Sequence, residues 1–433
     1  MHDLLETAVH ARLYIAMVFF IGAYPMVSSL YWIAASIVFW RHREGPENDF
    51  YVLHEFPPVS ILLAAHNEEA AIGDTVRRLR ELDWPEVEII VVDDGSTDAT
   101  PEILHELARA GWIRYLRKDV NEGKAMALND AIPLVSHELM LVIDADARPE
   151  RDVLRWMVPH FVKVPRVAAV TGNPRVVNTT TLLTKLQAIE FSATVSVLRR
   201  AQSTWGRLMT FSGICTMLRR SAVESVGRFK PEMATEDIAL AWQLQRAHFD
   251  IRYEPHAIFG MEVPEQLDTW WRQRKRWARG MGQVLRRNAP ILLSWRARRL
   301  WPVYIEAVVS TLWSHVFIGM VLLWAVAYPT QVLTFGANPI PNFWGMLIAS
   351  VAIVQILCGL ALDGRYDGRA RRYAVWAPLY PLIYWVLTAL VAVRATAGGV
   401  FKRPSGTVTW TQQRYGATAE AGPVAPERWI THY

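Results

Sequence analysis

The chain has 433 residues, of which 52% are hydrophobic and 20% charged, with 19 tryptophans and a formal net charge of +5. The apolar excess collects in the first 40 residues and after residue 301, which excludes an ordinary soluble enzyme and leaves one large domain joined to membrane spans. The arginines cluster beside apolar runs without a groove-reading motif, so the positive balance points to a lipid bilayer and not to nucleic acid; two distant cysteines, Cys215 and Cys358, exclude a disulfide framework or zinc site.

Residues 13–40 carry no charge. As a helix they rise ~42 Å, enough to cross a ~30 Å hydrocarbon core with tilt, and the run is too long for a cleaved signal peptide. Arg41, His42 and Arg43 follow, whereas Asp3 and Glu6 lie at the other end, so the positive-inside rule puts residue 41 onward in the cytoplasm. Residues 1–43 therefore read as a transmembrane helix.

A β/α alternation fills 52–265. The apolar runs 59–65, 87–94, 138–146 and 167–173 are predicted strands, and 70–81, 99–110, 123–135 and 151–162 are predicted helices. That order implies an α/β fold with a mostly parallel sheet, whose ligands bind outside the carboxyl ends of its strands. The second run ends in Asp93-Asp94-Gly95-Ser96, where Asp94 can meet a nucleotide or simply close a turn. Lys124, at a predicted helix start, can add positive charge beside phosphates. The third run ends in Asp144-Ala145-Asp146. Alternation would turn both carboxylates to one side, where they would repel unless they share a divalent cation with a diphosphate.

Thr235-Glu236-Asp237 precedes an amphipathic helix. Taken alone it reads better as a helix cap, with Thr235 as the capping residue, than as a site for a general base at Asp237. Residues 266–300 form a basic, Trp-rich interfacial region in which Trp270, Trp271 and Trp295 are anchors. Within it, Gln273, Arg276 and Trp277 share one helical face, suited to a sugar acceptor beside a diphosphate.

The segment 301–400 holds further membrane helices. Spans are expected at 303–328 and 343–362, joined by an outside connection, 329–342, without Lys or Arg. Arg365, Arg369, Arg371 and Arg372 place 363–373 inside. The stretch 374–393 is flanked by inside-type loops at both ends, so it either spans or is re-entrant or interfacial. The tail, 401–433, is basic in its first part and expected to be cytoplasmic.

The order Asp-Asp-Gly-Ser, Asp-Ala-Asp, Thr-Glu-Asp and Gln-Arg-Lys-Arg-Trp, with flanking spans, resembles the processive family-2 glycosyltransferases, which include the cellulose, chitin and hyaluronan synthases. The resemblance implies a GT-A nucleotide-diphospho-sugar fold and an inverting mechanism. It implies that Asn67, Glu68, Asp94 and Asp144, with Lys124, bind the nucleotide sugar, that Asp146 with Asp144 holds Mg2+ or Mn2+, that Asp237 is the base, and that Gln273, Arg276 and Trp277 serve the acceptor and diphosphate.

Longer stretches resemble the branch of that family that makes β-1,6-linked poly-N-acetylglucosamine. They are Val170-Thr171-Gly172-Asn173-Pro174-Arg175, 182–206, 211–227, Thr235–Gln245, Tyr253-Glu254-Pro255 and 272–280. This implies UDP-N-acetylglucosamine as donor, a growing polysaccharide of biofilm matrix as product, and the bacterial inner membrane as location with the catalytic domain cytoplasmic. A small membrane accessory subunit and regulation by cyclic di-GMP are implied in the same way. Trp410-Thr411-Gln412-Gln413-Arg414 resembles the family's gating segment.

Two departures stand out: Ala64-Ala65 precede His66-Asn67-Glu68 where the family usually has proline, and one N-terminal span stands where close relatives have two. The competing readings are a synthase of the same family with another sugar or linkage, and a non-catalytic membrane assembly subunit. The latter is disfavoured by the intact Asp144, Asp146, Asp237 and Trp277. A transporter is disfavoured because no acidic pair lies within the spans.

Overall fold

The uncharged N-terminal run forms one helix, α1 (His2–Arg43), that ends in Arg41, His42 and Arg43. Pro25 lies inside it and has no N–H for the carbonyl of Ile21. The Trp313 indole N–H donates to that carbonyl at 2.9 Å, so the proline is tolerated by a bond from a neighbouring helix. The computed structural model describes residues 2–45, 49–330, 343–402 and 406–409.

The alternation in the middle of the chain folds as β1 (Val59–Ala65), α2 (Ile72–Arg80), β2 (Val87–Asp94), α3 (Thr100–Arg109), β3 (Arg114–Lys118), α4 (Lys124–Ala131), β4 (Leu139–Asp144), β5 (Arg148–Pro149), α5 (Val153–Lys163) and β6 (Val167–Val176). Then come α6 (Leu182–Ile189), a π-turn at Glu190–Val195, α7 (Ser196–Thr204), β7 (Thr216–Arg219), α8 (Arg220–Ser225), α9 (Glu236–Arg246) and β8 (Asp250–Met261). The sheet order is β3-β2-β1-β4-β7-β6-β8-β5. Pairs β1–β2, β1–β4, β2–β3 and β6–β8 are parallel, and β4–β7, β6–β7 and β5–β8 are antiparallel.

β1 is buried along its whole length because both faces of the sheet are covered. Ile61 and Leu63 join one core cluster, while Leu62 and Ala64 join the other. The chain runs outward from β1 through β2 to β3, then returns to β4 on the other side of β1. That reversal opens a crevice beyond the carboxyl ends of β1 and β4. Register sets Ala65 beside Asp93 and Ala64 beside Asp144, so the acidic strand ends share one edge.

The expected strands and helices are present, and β3, β5, β7 and β8 are additional. β3, Arg-Tyr-Leu-Arg-Lys, is an edge strand whose charges hide it from a search for apolar runs. The strand expected at 138–146 stops at Asp144, where the Ala147 N–H donates to the Asp144 carbonyl at 3.1 Å and turns the chain. Period-two alternation therefore does not reach Asp146.

After the sheet come α10 (Leu267–Asn288), α11 (Trp301–Thr330), α12 (Phe343–Asp363) and α13 (Trp385–Phe401). Four segments are long and apolar enough to cross a membrane: Arg12–Arg43, Trp295–Val326, Gly345–Asp363 and Tyr380–Phe401. The fourth begins later than the expected 374–393, because Pro378 and Pro381 break α-helical bonding. A 3-10 turn (Ala370–Trp376) and a π-turn (Tyr380–Tyr384) occupy that region.

α13 packs along α10 in the same direction. The Trp270 indole donates to the Tyr384 hydroxyl at 3.0 Å near their starts. Further along, a Cβ on Gly282 would stand 2.3 Å from the Thr396 carbonyl, and one on Gly399 would stand 2.0 Å from the Arg279 carbonyl. Both ends of this segment meet the sheet domain. Thr194 donates to the Tyr380 hydroxyl at 3.2 Å, and the Val408 N–H donates to the Pro231 carbonyl at 2.9 Å.

A buried ionic knot ties α1 and α12 to the domain. Asp363 pairs with Arg175 and Arg200 at 2.6 Å each, and Arg200 pairs with Glu44 at 2.6 Å. Taking away one partner of such a knot strands a buried charge, at a cost of ~3–5 kcal/mol.

Candidate active site

The site begins with the acidic end of β2. Asp93 accepts from the Ser96 N–H at 3.0 Å and closes the turn. Asp94 is fully buried, and its two carboxylate oxygens accept from the Glu122 N–H at 3.1 Å and the Gly123 N–H at 2.6 Å. In this conformation Asp94 fixes the loop that delivers Lys124. Lys118 lies 3.6 Å from Asp94 and also pairs with Glu122 and Asp130, at 2.6 and 2.8 Å.

Gly123 has φ of 89°, a left-handed value that favours glycine, and a Cβ there would meet the Val408 carbonyl at 2.0 Å. The tail segment 406–409 thus lies against the loop before Lys124. The gating segment expected at 410–414 falls outside the described residues.

Asn67 and Glu68 sit between β1 and α2. Asn67 holds φ of 55°, a conformation that Asn tolerates better than most residues, and its side-chain carbonyl accepts from the Thr97 N–H at 2.8 Å. The Glu68 N–H donates to the Thr100 hydroxyl at 2.8 Å. Both residues tie the end of β1 to the segment that follows β2.

Lys124 opens α4 and reaches across the crevice. Its ammonium pairs with Asp144, stands 3.8 Å from Glu236 and lies 3.5 Å from the Gly213 carbonyl. Asp237 lies opposite, in the first turn of α9. Its carboxylate accepts from the Gly213 N–H at 3.0 Å and from the Ile238 N–H at 2.8 Å.

Burial and the negative charge of Glu236 raise the Asp237 carboxyl from 3.8 to about 6, while Lys124 and the two amide bonds act against them. A side chain on Gly213 would stand 3.0 Å from the Lys124 ammonium and 3.4 Å from Asp237, so the bare backbone leaves this space open. The competing cap is not built as the sequence suggested. Thr235 precedes the helix but makes no side-chain cap bond, and its hydroxyl, against Gly280, has no hydrogen-bond partner among the described residues.

Asp146 lies in the turn after β4 and is 8% exposed. Nearby Glu262 is raised by burial; Arg148 opposes that shift and the charge of Asp146 adds to it. The Ala145 carbonyl accepts from Thr75 at 2.7 Å, which fixes this turn to α2. Two aspartates with hard oxygen donors suit Mg2+ or Mn2+, with phosphate oxygens completing the shell. Asp144 already draws a cation, the Lys124 ammonium, which shows the demand for positive charge at this strand end. No group of three or more His, Cys, Asp or Glu with metal-holding geometry occurs among the described residues, so a cation here would need the diphosphate as co-ligand.

α10 brings the last group. Gln273 and Trp277 are half-buried, while Arg276 is exposed and extends its guanidinium to the Ala234 carbonyl at 3.5 Å, beside the start of α9. Arg274, passed over in the sequence, is buried: it makes a two-pronged pair with Glu190 at 2.7 and 2.6 Å and stacks 4.4 Å from the Trp277 ring centre. Trp277 is thereby held as a rigid plate. Glu236 and Gly213 were also missed. Glu236 stood in the quoted acidic motif, but Gly213 carries no signal without the fold.

The sequence residues 60–227 match the family described as Glycosyl transferase family 2. The chain is 33% identical over 399 residues to a poly-beta-1,6-N-acetyl-D-glucosamine synthase of Staphylococcus epidermidis, covering 90% of this chain and 97% of that protein. A synthase of the same description from Staphylococcus aureus (strain COL) is 32% identical over 410 residues, covering 92% and 98%. A solved mannosyltransferase from Pyrobaculum calidifontis, in complex with GDP-Man and Mn2+, shares the fold with a TM-score of 0.61 at 21% identity, over 88% of this chain and 99% of that one.

Proposed function

The chain belongs to glycosyltransferase family 2, a nucleotide-sugar-dependent family, and we propose that it polymerises N-acetylglucosamine from UDP-N-acetylglucosamine into a β-1,6-linked exopolysaccharide. The observation that carries the reading is the meeting of Lys124, Asp144, Glu236 and Asp237 around Gly213, beside the Gln273–Trp277 face. The identity to poly-beta-1,6-N-acetyl-D-glucosamine synthases over nearly their whole length supports the choice of sugar and linkage.

Asn67, Glu68 and Asp94 border the nucleotide, and Asp144 with Lys124 faces its phosphates. Asp237 takes the proton of an acceptor hydroxyl as that oxygen attacks the anomeric carbon from the face opposite the diphosphate. The carbon–phosphate-oxygen bond breaks, UDP departs with the bonding electrons, and the configuration inverts. A carboxyl raised to about 6 is mostly ionised at neutral pH yet more basic than an ordinary aspartate. Asp144 and Asp146 would hold a divalent cation, which supplies charge neutralisation on the leaving diphosphate. Arg276 and Gln273 border the diphosphate and acceptor, and the Trp277 plate supports a sugar ring.

The catalytic domain belongs at the cytoplasmic face of a bacterial inner membrane, where UDP-sugars are made. Chain growth on that face favours export along the neighbouring helices. α13 lies with α10 on the same side, because Tyr380 before it and Val408 after it both contact the domain, and the tail remains cytoplasmic. A small accessory subunit would pack on the apolar surface that α1, α11 and α12 expose.

The test is a donor screen in membranes containing the purified chain. UDP release and polymer growth should occur with UDP-N-acetylglucosamine and be at least tenfold slower with UDP-glucose and UDP-glucuronate. Preference for either of the latter would overturn the sugar assignment.

A further inference from the structure

At the far end of α9 from Asp237 lies a cavity of about 380 Å3 that the catalytic reading leaves unused. Arg166, Arg207, Arg246, Arg296, Arg298 and Arg299 line it. They come from four places that the fold gathers: the residue before β6, the loop after α7, the last turn of α9, and the 3-10 turn Trp295–Leu300 just before α11.

The charge there is poorly balanced. Among the described residues, Asp250 is the one carboxylate paired with any of the six, 3.0 Å from Arg207 and 3.8 Å from Arg166. Arg246 bonds to the neutral Asn288 side chain at 3.3 Å, and Arg298 to the Trp295 carbonyl at 3.2 Å. Six guanidinium groups around one hollow, with one carboxylate among them, give it a positive potential that favours an anion. Arg207 is buried at the cavity, and the other five arginines are exposed around it.

The position selects the anion. Leu293 is 92% exposed and Trp295 69% exposed next to the cavity, and the apolar run of α11 follows at once. Exposed leucine and tryptophan at the start of a membrane helix mark the headgroup level of a bilayer. Guanidinium groups match phosphate oxygens in two-pronged geometry. We propose that this cavity binds the headgroup phosphate of an anionic phospholipid from the leaflet on the catalytic side. Since α9 spans the ~14 Å between Arg246 and Asp237, a bound lipid would brace the helix that carries the base. The assignment is independent of which sugar is transferred.

Native mass spectrometry of the delipidated full chain, titrated with phosphatidylglycerol or phosphatidylcholine, tests it. Phosphatidylglycerol should bind preferentially, and Arg296→Ala with Arg299→Ala should weaken it by about fivefold per arginine removed. Replacing both by Lys should restore only part of the preference, because an ammonium keeps the charge but not the two-pronged geometry. UDP binding serves as the check on folding, and the single changes Arg296→Gln and Arg299→Gln replace the double variant if that fails to fold. Equal binding of the two lipids would overturn the proposal, as would phosphatidylglycerol binding that ignores both arginines. Arginine-dependent binding of inorganic phosphate, undiminished by phosphatidylglycerol, would assign the pocket to a soluble anion and overturn it too.

Discussion

Asp237→Asn separates a catalytic base from a helix cap. The rise of the Asp237 carboxyl from 3.8 to about 6, from burial and Glu236 against the opposing Lys124 and amide bonds, disfavours the ionised form by roughly 3 kcal/mol. Asparagine removes that charge. It keeps one carbonyl for either the Gly213 or the Ile238 N–H and loses the other bond, at a cost of ~1–3 kcal/mol. The two effects oppose each other, so thermal stability should stay within about 2 kcal/mol of wild type, and UDP binding should hold. The catalytic rate should nonetheless fall by ~10²–10⁴, the usual contribution of a general base. UDP release and UDP affinity, measured on folded, membrane-inserted protein, read the two quantities separately. A rate within threefold of wild type would refute the mechanism, because it would leave Asp237 only the role of holding the Gly213 and Ile238 amides.

The same carboxyl sets the pH profile: kcat/KM should hold above about pH 6 and fall toward tenfold per unit below it as Asp237 takes up a proton. Its contribution to stability runs the other way, since the folded state holds that proton more tightly than the unfolded chain, and differential scanning between pH 4 and 7 can register it. Asp146→Asn, or excess EDTA, should abolish turnover while membrane insertion is retained, and added Mg2+ or Mn2+ should reverse only the EDTA effect; full activity in chelator would remove the cation from the scheme. Cysteines placed at Gly368 and Thr407, both exposed, should react with an impermeant reagent only after the membrane is opened; labelling of Thr407→Cys from outside intact cells would make α13 a true span.

Some features could be read from residues alone because they are local. The strands 59–65 and 87–94 are largely aliphatic runs, the second ending in two aspartates, and both occur as expected. The gathering of Asp94, Lys124, Asp144 and Asp237 was expected only through family resemblance, because it depends on chain reversal between β3 and β4. β3 was hidden by its arginines and lysine, as an edge strand often is. Asp146 was expected to follow strand alternation, but the strand ends at Asp144 and a turn through Ala145 and Asp146 follows. Arg274 was passed over because a cation in a basic helix reads as solvated; only Glu190, 84 positions away, makes its burial possible. Thr235 looked like a cap, yet contact with Gly280 of α10 turns its hydroxyl from the helix end.

The product decides the central claim. Membranes bearing the purified chain, given radiolabelled UDP-N-acetylglucosamine, should yield a polymer that a hydrolase specific for β-1,6-linked poly-N-acetylglucosamine degrades completely and that chitinase leaves intact. A polymer cut by chitinase and resistant to the β-1,6 enzyme would contradict the account.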